Sequence, residues 1–232
     1  MKTTPPKAPP RPRKRILLVD DHPLMCEGVA RWIEGTADLA VCGQAESAAK
    51  ALALVEQLKP DLVLTDISLA GRSGLELTKD LGALDPKLPV LVLSMHEESL
   101  YAGRALRAGA RGYVMKRAGG DRVVEAVRQV LQGQIAVSPE MATHLLEEYS
   151  GRPSHSQRVP LPSLTDREFE VFHLIGEAKN NREIAEHLRL SAKTVETHRM
   201  NLARKLKLKS AADLLRFALQ YAEREATGDW QG

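Results

Sequence analysis

The 232-residue chain predicts an α/β protein followed by a smaller all-helical part. From residue 15 to residue 134, short apolar runs alternate with segments of helical periodicity, which is typical of a doubly wound parallel sheet. From residue 163 onward the periodicity is helical throughout. Between the two, residues 150–162 are rich in proline and polar residues and indicate a linker.

Five apolar runs are predicted to be buried parallel strands because each is short and bounded by turn residues. The strands are predicted at Ile16–Val19, Leu39–Gly43, Leu62–Thr65, Val90–Ser94 and Gly112–Met115. The helices are predicted at Pro23–Glu34, Ser47–Leu58, Gly74–Leu84, Ser99–Ala108 and Asp121–Gln132. Pro23 suits a first helical turn, Pro60 ends the second helix, and Gly109 can cap the fourth. Five βα units in this length predict a five-stranded parallel sheet.

The sequence of the helical part contains capping signals that mark where helices begin. Thr165 with Glu168, and Asn180 with Glu183, have the spacing of capping boxes. Ser191 is predicted to cap a later helix, after a tight turn. The last three helices are predicted over residues 181–188, from Ser191 to 206, and over 211–223, and a separate short helix over 138–149.

These patterns divide the chain into four segments. Residues 1–14 form a basic, proline-rich tail that is expected to be disordered, and residues 15–134 form the α/β domain. Residues 135–162 are a linker with a short helix, and residues 163–228 form the helical domain. The 33 basic and 30 acidic residues give a net charge of only +3, so the distribution of charge is more informative than its sum.

The two cysteines, Cys26 and Cys42, have neither CxxC nor Cys/His spacing. This argues against a disulfide framework or a zinc site and fits a reducing, cytoplasmic location. No run approaches the roughly 18 apolar residues of a membrane span, so no membrane association is expected.

Charged residues follow three of the predicted strands. Asp20 and Asp21 follow the first strand, Asp66 the third and Lys116 the fifth. The carboxyl ends of parallel strands lie at one edge of the sheet, where ligands bind, so these groups are expected to converge. Three carboxylates together require a cation, and all-oxygen ligands suit Mg²⁺. The sequence therefore predicts a site for a metal and a phosphoryl group.

Basic residues greatly outnumber acidic residues in one segment of the helical part. Between residues 188 and 210 a single acid, Glu196, faces the basic residues Arg189, Lys193, Arg199, Arg204, Lys205, Lys207 and Lys209. Such a surface is expected for contact with a phosphate backbone. One face of the helix after Ser191 is predicted to pack, through Val195, His198, Leu202 and Leu206. The other face is free to enter a DNA groove, which is a helix-turn-helix arrangement.

Both parts resemble known families. The acidic pair, Asp66 followed by Ile-Ser-Leu-Ala-Gly-Arg-Ser-Gly, Ser94 and Lys116 occur in the order found in the flavodoxin-like receiver domain of response regulators. The segments Leu164-Thr-Asp-Arg-Glu-Phe-Glu-Val, Asn181-Arg-Glu-Ile-Ala-Glu-His-Leu and Thr194-Val-Glu-Thr-His-Arg-Met resemble the LuxR-type helix-turn-helix domain. Together they resemble the NarL/FixJ family of two-component transcriptional response regulators.

The receiver resemblance implies roles for the acidic site. Asp66 would take a phosphoryl group from a sensor histidine kinase. Asp21, Asp66 and the backbone carbonyl of Ser68 would ligate Mg²⁺, and Asp20 would do so largely through water. Lys116 and Ser94 would bind phosphoryl oxygens, and Tyr113 would be the aromatic that changes rotamer on activation. The only chemistry expected is the protein's own aspartyl phosphorylation and dephosphorylation, so it is not expected to be an enzyme.

The LuxR-type resemblance implies contacts with promoter or operator DNA. Phosphate contacts are expected from Lys193, Thr194, Arg204 and Lys205, and base contacts from Glu196, Thr197 and Met200. A dimer contact is expected on the last helix, at Leu214, Leu215, Ala218 and Tyr221, because so small a domain is not expected to bury them all. The family also implies RNA polymerase as a partner and a homodimer formed on phosphorylation.

The chain departs from the family pattern at three positions. Ala70 and Arg117 stand where many receivers have proline. Ala178 stands where the LuxR-type turn often has glycine, so Ala178, or else Lys179 or Asn180, is expected to carry the positive φ.

In the simplest mechanism, the unphosphorylated receiver covers the recognition or dimer surface, and phosphorylation releases it. Two alternatives remain open. The protein could bind DNA constitutively, with the receiver as a dimerisation or sensing module. It could instead be an aspartyl-phosphate hydrolase, a class that typically has a second acid where this chain has Ser68.

Overall fold

A computed structural model describes residues 12–69, 72–149 and 164–227. The first part is a five-stranded, all-parallel sheet in the order β2-β1-β3-β4-β5, which confirms the predicted fold class. The strands are β1 Lys14–Val19, β2 Leu39–Ala45, β3 Leu62–Thr65, β4 Val90–Ser94 and β5 Gly112–Met115. Most of the predicted tail, Ala70 and the part of the predicted linker from residue 150 onward lie outside the described residues.

Two strands are longer than predicted. β1 begins two residues early, at Lys14, because Lys14 and Arg15 pair with the start of β2. Both residues also bind Asp61: the Lys14 ammonium lies 2.7 Å and the Arg15 amide 2.8 Å from its carboxylate. Polar and charged residues therefore extend the strand beyond the apolar run that predicts it.

The helices of the α/β part agree with the sequence to within about one residue at most ends. They are α1 Pro23–Glu34, α2 Ala48–Leu58, α3 Gly74–Leu84, α4 Glu98–Arg107, α5 Gly120–Leu131 and α6 Pro139–Tyr149. Ser47 and Ser138 lie just outside their helices, and the Ser47 hydroxyl accepts a hydrogen bond from the Lys50 amide as an N-cap. Gly109, with φ 105°, follows the end of α4 as predicted.

Helices cover both faces of the sheet. Along β1, Ile16 and Leu18 pack with residues of α1 and α5, whereas Leu17 and Val19 pack with residues of α2 and α3. Both sets are almost completely buried. The burial of both faces of the sheet explains why the strand sequences are continuous apolar runs rather than alternations of apolar and polar residues.

The helical part consists of α7 Asp166–Gly176, α8 Asn181–His187, α9 Ala192–Lys205 and α10 Ala211–Thr227. Both predicted capping boxes are present, at Thr165/Glu168 and Asn180/Glu183, and Ser191 caps α9. On α9, Val195 and Leu202 are buried, as the predicted packing stripe requires. Helix α10 ends later than the predicted residue 223. Among the described residues, no helix combines the length and the apolar character needed to cross a membrane.

The apolar stripe on α10 is largely buried within the chain itself. Leu214, Ala218 and Tyr221 are at most 8% exposed, and Leu215 is 39% exposed. The Tyr221 ring packs against Phe172 of α7 at a centroid distance of 5.3 Å. The expectation that so small a domain would not bury all four residues holds at Leu215, whereas the other three are buried within the domain. The dimer contact expected on this stripe stays a prediction.

Helix α7 is buried on nearly all sides. Even its polar residues Asp166, Arg167, Glu168 and Glu170 are at most 9% exposed. A surface helix normally buries one stripe, so burial all round requires packing partners on opposite faces. One face of α7 packs within the helical part, and the other packs against the α/β part.

The turn after α7 adopts a left-handed backbone at Ala178, with φ 61°. The suggestion that Lys179 or Asn180 takes this conformation instead was wrong, since neither has positive φ. Ala178 is exposed, so its methyl group adds little packing to offset the steric cost.

We expect Ala178→Gly to stabilise the protein. It removes about 1–2 kcal/mol of left-handed strain, against about 0.4–1 kcal/mol of added unfolded-state entropy. The net gain should be on the order of 0.5–1 kcal/mol in the free energy of unfolding by urea. Ala53→Gly, at an exposed position within α2, is the control and should lose about 1 kcal/mol. Equal destabilisation by both substitutions would contradict this account of the turn.

Candidate functional site

The carboxyl ends of β1, β3 and β5 bring the predicted charged groups together. The amide of Asp66 donates to the carbonyl of Val19 at 2.8 Å, which places the end of β3 beside the end of β1. The Lys116 ammonium lies 2.6 Å from Asp20 Oδ2 and 2.8 Å from Asp66 Oδ2. Asp20, Asp21, Asp66 and Lys116 are all buried. We call these four residues the acidic pocket.

The start of α3 approaches the pocket closely at Gly74. Its amide donates to the carbonyl of Ile67 at 2.7 Å. A Cβ atom at this position would lie only 1.8 Å from the backbone carbonyl oxygen of Asp66. Only glycine therefore allows α3 to lie against the loop that carries Asp66. The sequence shows this glycine after Ser73 but gives no sign that the backbones make contact.

The burial of the pocket changes its protonation equilibria. Burial, with a further contribution from Asp20, raises the pKa of Asp66 to about 6, although Lys116 opposes this shift. Burial alone would lower the pKa of Lys116, but the charges of Asp66 and Asp20 more than offset it, and the pKa is raised. The lysine is therefore held charged between two carboxylates.

The pocket has a donor set that fits a hard divalent cation. Oxygen atoms of Asp20, Asp21 and Asp66, with a ring nitrogen of His22, lie within 4.8 Å of one another. Asp21 Oδ1 is buried and makes no hydrogen bond within the described part of the chain, although His22 Nδ1 lies 2.8 Å away. A buried carboxylate oxygen without a hydrogen bond is costly and suits a metal ligand. These residues therefore fit a hard divalent cation such as Mg²⁺.

A histidine that sequence reasoning overlooked connects the pocket to α4. The His96 amide donates to Ser94 Oγ at 3.2 Å, and the Tyr113 hydroxyl donates to the His96 carbonyl at 2.9 Å. The His96 ring lies 3.1 Å from the Ser68 hydroxyl and stacks on Tyr101 at a centroid distance of 4.6 Å. Burial lowers the pKa of His96 to about 3, so its ring is neutral at physiological pH.

Helix α7 packs against α4 directly beyond His96. The Phe169 ring lies 5.1 Å from Tyr101, and the Arg104 guanidinium lies over the Phe169 ring at 4.0 Å. The His173 ring meets His96 edge to face at 6.0 Å. A series of ring contacts thus runs from His96, two residues after the end of β4, to the helical part.

Polar contacts border this packing. The Ser73 hydroxyl donates to Glu170 at 2.9 Å, and Glu170 is also paired with Arg167 at 2.6 Å. Asp166 accepts from Lys79 at 2.7 Å and from Arg104 at 3.3 Å. We call the face formed by α3, α4 and α7 the interdomain interface. Glu170 is almost completely buried, so loss of a partner there would leave a charge in the interior.

A second connection joins the helical part to the acidic pocket itself. The Arg189 guanidinium lies 2.9 Å from Asp21 Oδ2 and donates to the Asp21 backbone carbonyl at 3.4 Å. The sequence places Arg189 in the turn before α9 and groups it with the basic residues expected near DNA. Nothing in the local pattern indicates a partner 168 residues away.

The predicted DNA-reading face of α9 is open. Met200 is 62% exposed, and Lys193, Glu196, Thr197 and Arg204 are also exposed. The α/β part contacts α7 and the turn at Arg189 instead. Of the two surfaces that it was expected to cover, the recognition surface is therefore not covered, and cover of the dimer surface stays a prediction.

The remaining two predicted phosphate contacts are less accessible. The Thr194 side chain is half-buried, and its hydroxyl lies 2.7 Å from that of Ser191. Lys205 is also half-buried, and its ammonium lies 2.6 Å from Glu168 Oε2. Lys205 therefore fixes the first turn of α7 in this structure.

The comparisons with known proteins agree with this architecture. The profile of the response regulator receiver domain matches residues 16–128, and that of the bacterial regulatory proteins of the luxR family matches residues 162–218. These matches define a two-component response regulator with a DNA-binding, transcription-regulating domain. More specifically, the chain belongs to the NarL/FixJ family.

Three proteins illustrate the relationship. Response regulator GacA of Pseudomonas aeruginosa is 36% identical over 207 residues, covering 89% of this chain and 96% of GacA. The crystal structure of a LuxR-family two-component response regulator from Aurantimonas sp. SI85-9A1 is 37% identical, with TM-score 0.56, covering 60% of this chain and 99% of that chain. The structure of RcsB from Salmonella enterica serovar Typhimurium, bound to promoter rprA in the presence of the phosphomimetic BeF₃⁻, is similar in fold, with 24% sequence identity and a TM-score of 0.58. The match covers 89% of this chain and 98% of the RcsB chain.

We expect the contribution of His96 to stability to depend on pH. Its folded pKa of about 3 is below the ordinary 6.5, so its stabilising effect is complete above pH 6.5 and is lost as the pH falls. Between pH 7 and pH 5 the stability advantage of the wild type over His96→Gln should shrink by roughly 1–2 kcal/mol in urea unfolding. Leu146→Gln, at an exposed position on α6, changes no titratable group and is the control with no such trend. A difference independent of pH would show that His96 is not held neutral.

Proposed function

We propose that the protein regulates transcription in response to phosphorylation of Asp66 by a sensor histidine kinase. The observation that carries this proposal is the buried Asp66 carboxylate beside Lys116 and Asp20, at the carboxyl edge of the sheet. Asp66 would attack the phosphorus of a phosphohistidine, and the kinase imidazole would leave. Membership of the response regulator family supports the same assignment.

Each residue of the pocket would have a distinct role in phosphoryl transfer. Asp21, Asp66 and the Ser68 carbonyl would hold Mg²⁺, with Asp20 acting largely through water. The bound metal would neutralise charge on the transferring phosphoryl group. Lys116 would move its ammonium from the Asp66 carboxylate to a phosphoryl oxygen, and Ser94 would donate to another. The unbonded, buried Asp21 Oδ1 supports the ligand assignment.

The contacts of Ser94 suggest how the signal would leave the pocket. Its hydroxyl accepts from the His96 amide at 3.2 Å, so a phosphoryl group that draws Ser94 inward would disturb this contact. His96 stacks on Tyr101, and Tyr101 packs against Phe169 of α7. Tyr113 would respond as well, since its hydroxyl is bonded to the His96 carbonyl. Phosphorylation would therefore loosen the interdomain interface by displacing His96.

The helical part would bind promoter or operator DNA through α9. Glu196, Thr197 and Met200 would reach base edges, and Lys193 and Arg204 would contact phosphates. Their exposure supports these roles. We propose Thr194 and Lys205 as phosphate contacts too, with Lys205 leaving Glu168 to reach the DNA. A phosphorylation-dependent homodimer would place two such helices on neighbouring half-sites and would act on RNA polymerase.

One observation favours the alternative of constitutive DNA binding. The base-reading face of α9 is exposed while α7 is packed against the α/β part, so a monomer could contact DNA in this arrangement. In that case the α/β part would serve as a dimerisation or sensing module. The two functions differ in whether phosphorylation changes assembly and DNA affinity.

Incubation with acetyl phosphate and Mg²⁺ tests the proposal. We expect metal-dependent phosphoprotein in the wild type, detected by intact mass, together with a shift to dimer in multi-angle light scattering. Asp66→Asn should show neither, because it lacks the nucleophile. Asp85→Asn, at an exposed position after α3, is the matched control and should behave as the wild type.

The outcomes separate the two functions. Labelling that vanishes in Asp66→Asn and accompanies dimer formation and tighter DNA binding supports the phosphorylation switch. DNA binding that is equally tight in wild type and Asp66→Asn, with no labelling of either, would favour the constitutive function.

A further inference from the structure

Arg189 of the helical part makes a polar contact with the acidic pocket. Its guanidinium lies 2.9 Å from Asp21 Oδ2, and the Asp21 side chain is only 4% exposed. The second contact, to the Asp21 carbonyl at 3.4 Å, fixes the arginine over the end of β1. A charged group from the helical part thus helps to balance the carboxylates of a receiver pocket.

The backbone at Arg189 adds a second observation. Its φ of 49° lies in the left-handed region, which disfavours any residue with a Cβ atom. The turn needs this conformation, because the Leu190 amide returns to the Ala185 carbonyl at 2.8 Å. Glycine would satisfy the turn at lower cost, whereas only a long cationic side chain can reach Asp21. The turn therefore carries an arginine at a position where the local backbone favours glycine.

The two carboxylate oxygens of Asp21 differ in their contacts. Oδ2 is bound by Arg189, while Oδ1 is buried without a hydrogen bond and lies 2.8 Å from His22 Nδ1. A divalent cation held by Oδ1 would share one carboxylate with the guanidinium. Two cations on one buried carboxylate repel each other, so each weakens the binding of the other. By linkage, the effect is equal in both directions.

We propose that Arg189 is an internal counter-ion of the acidic pocket, so that metal loading and detachment of the helix-turn-helix turn are reciprocally linked. This inference rests on the proposed metal site at Asp21. In the metal-free protein Arg189 holds the turn against Asp21, just after the end of β1. When the pocket takes up its metal, the arginine is released, and the helical part is held by the interdomain interface alone.

Binding of Mn²⁺ to the full-length protein, followed by the electron paramagnetic resonance signal of the free ion, tests the linkage. We expect Arg189→Gln to bind Mn²⁺ about 5-fold more tightly than the wild type, or more, which is the lower range of typical coupling. Arg189→Lys, which keeps the charge, should lie closer to the wild type. Mg²⁺ should displace the Mn²⁺ in every variant.

Two substitutions control for simpler causes. Arg117→Gln removes a positive charge next to Lys116 on the α/β part, where Arg117 pairs with Glu97. Lys207→Gln alters a basic residue of the helical part that also has positive φ, at 55°. Both should bind Mn²⁺ as the wild type does. An equal gain in affinity for Arg117→Gln would mean that general electrostatics, rather than the Asp21 contact, sets the affinity.

The reciprocal effect can be read directly from the Arg189 side chain. Its Nε–H signal in the nitrogen-15 spectrum, assigned by its loss in Arg189→Lys, should become mobile when wild-type protein is titrated with Mg²⁺. A signal that stays ordered at saturating Mg²⁺, or equal Mn²⁺ affinity in wild type and Arg189→Gln, would overturn the linkage. If acetyl phosphate still labels Asp66 in that case, the proposed function stands. Absence of metal binding and labelling in all variants would remove both.

Discussion

Three carboxylates crowd the carboxyl ends of β1 and β3, and the rest of the structure depends on how their repulsion is balanced. Without a metal, the charge is offset by Lys116 from the end of β5 and by Arg189 from the helical part. The first cation belongs to the sheet and is positioned by its register. The second links the charge of the pocket to the placement of a helix-turn-helix. The ionic state of one edge of the sheet is therefore part of the interdomain contact.

The interdomain interface joins the same pocket to α7 by a different route. Ser94 contacts His96, His96 stacks on Tyr101, and Tyr101 packs on Phe169. Because α7 is also the core of the helical part, a shift in α4 acts on the helix that supports α9 and α10. Buried charges on α7, Glu170 above all, make partial separation costly, which favours two discrete arrangements over gradual opening. In the arrangement described here α9 remains exposed, so regulation would act through assembly and orientation rather than by covering the recognition face.

The sequence predicts the fold and the pocket well because both depend on local patterns. Buried strands followed by Asp20, Asp66 and Lys116 must converge once the sheet is parallel, and the N-caps of α7, α8 and α9 are visible in a few residues each. It does not predict contacts between distant segments. In the sequence, His96 resembles an ordinary loop residue, and nothing next to Gly74 indicates its contact with the Asp66 carbonyl. Arg189 resembles the other basic residues that are expected near DNA. The burial of Tyr221 on α10 is another such contact, since Phe172 of α7, which packs against it, lies about fifty residues earlier.

If the state of Asp66 controls the packing of α7 against α4, binding of a phosphomimetic should loosen α7. Hydrogen exchange of the segment 164–176, with and without BeF₃⁻ and Mg²⁺, measures this effect. We expect faster exchange in this segment of the wild type when the phosphomimetic is bound, and no change in Asp66→Asn. Unchanged protection of α7 in wild-type protein, under conditions in which the α/β part demonstrably binds BeF₃⁻, would contradict it.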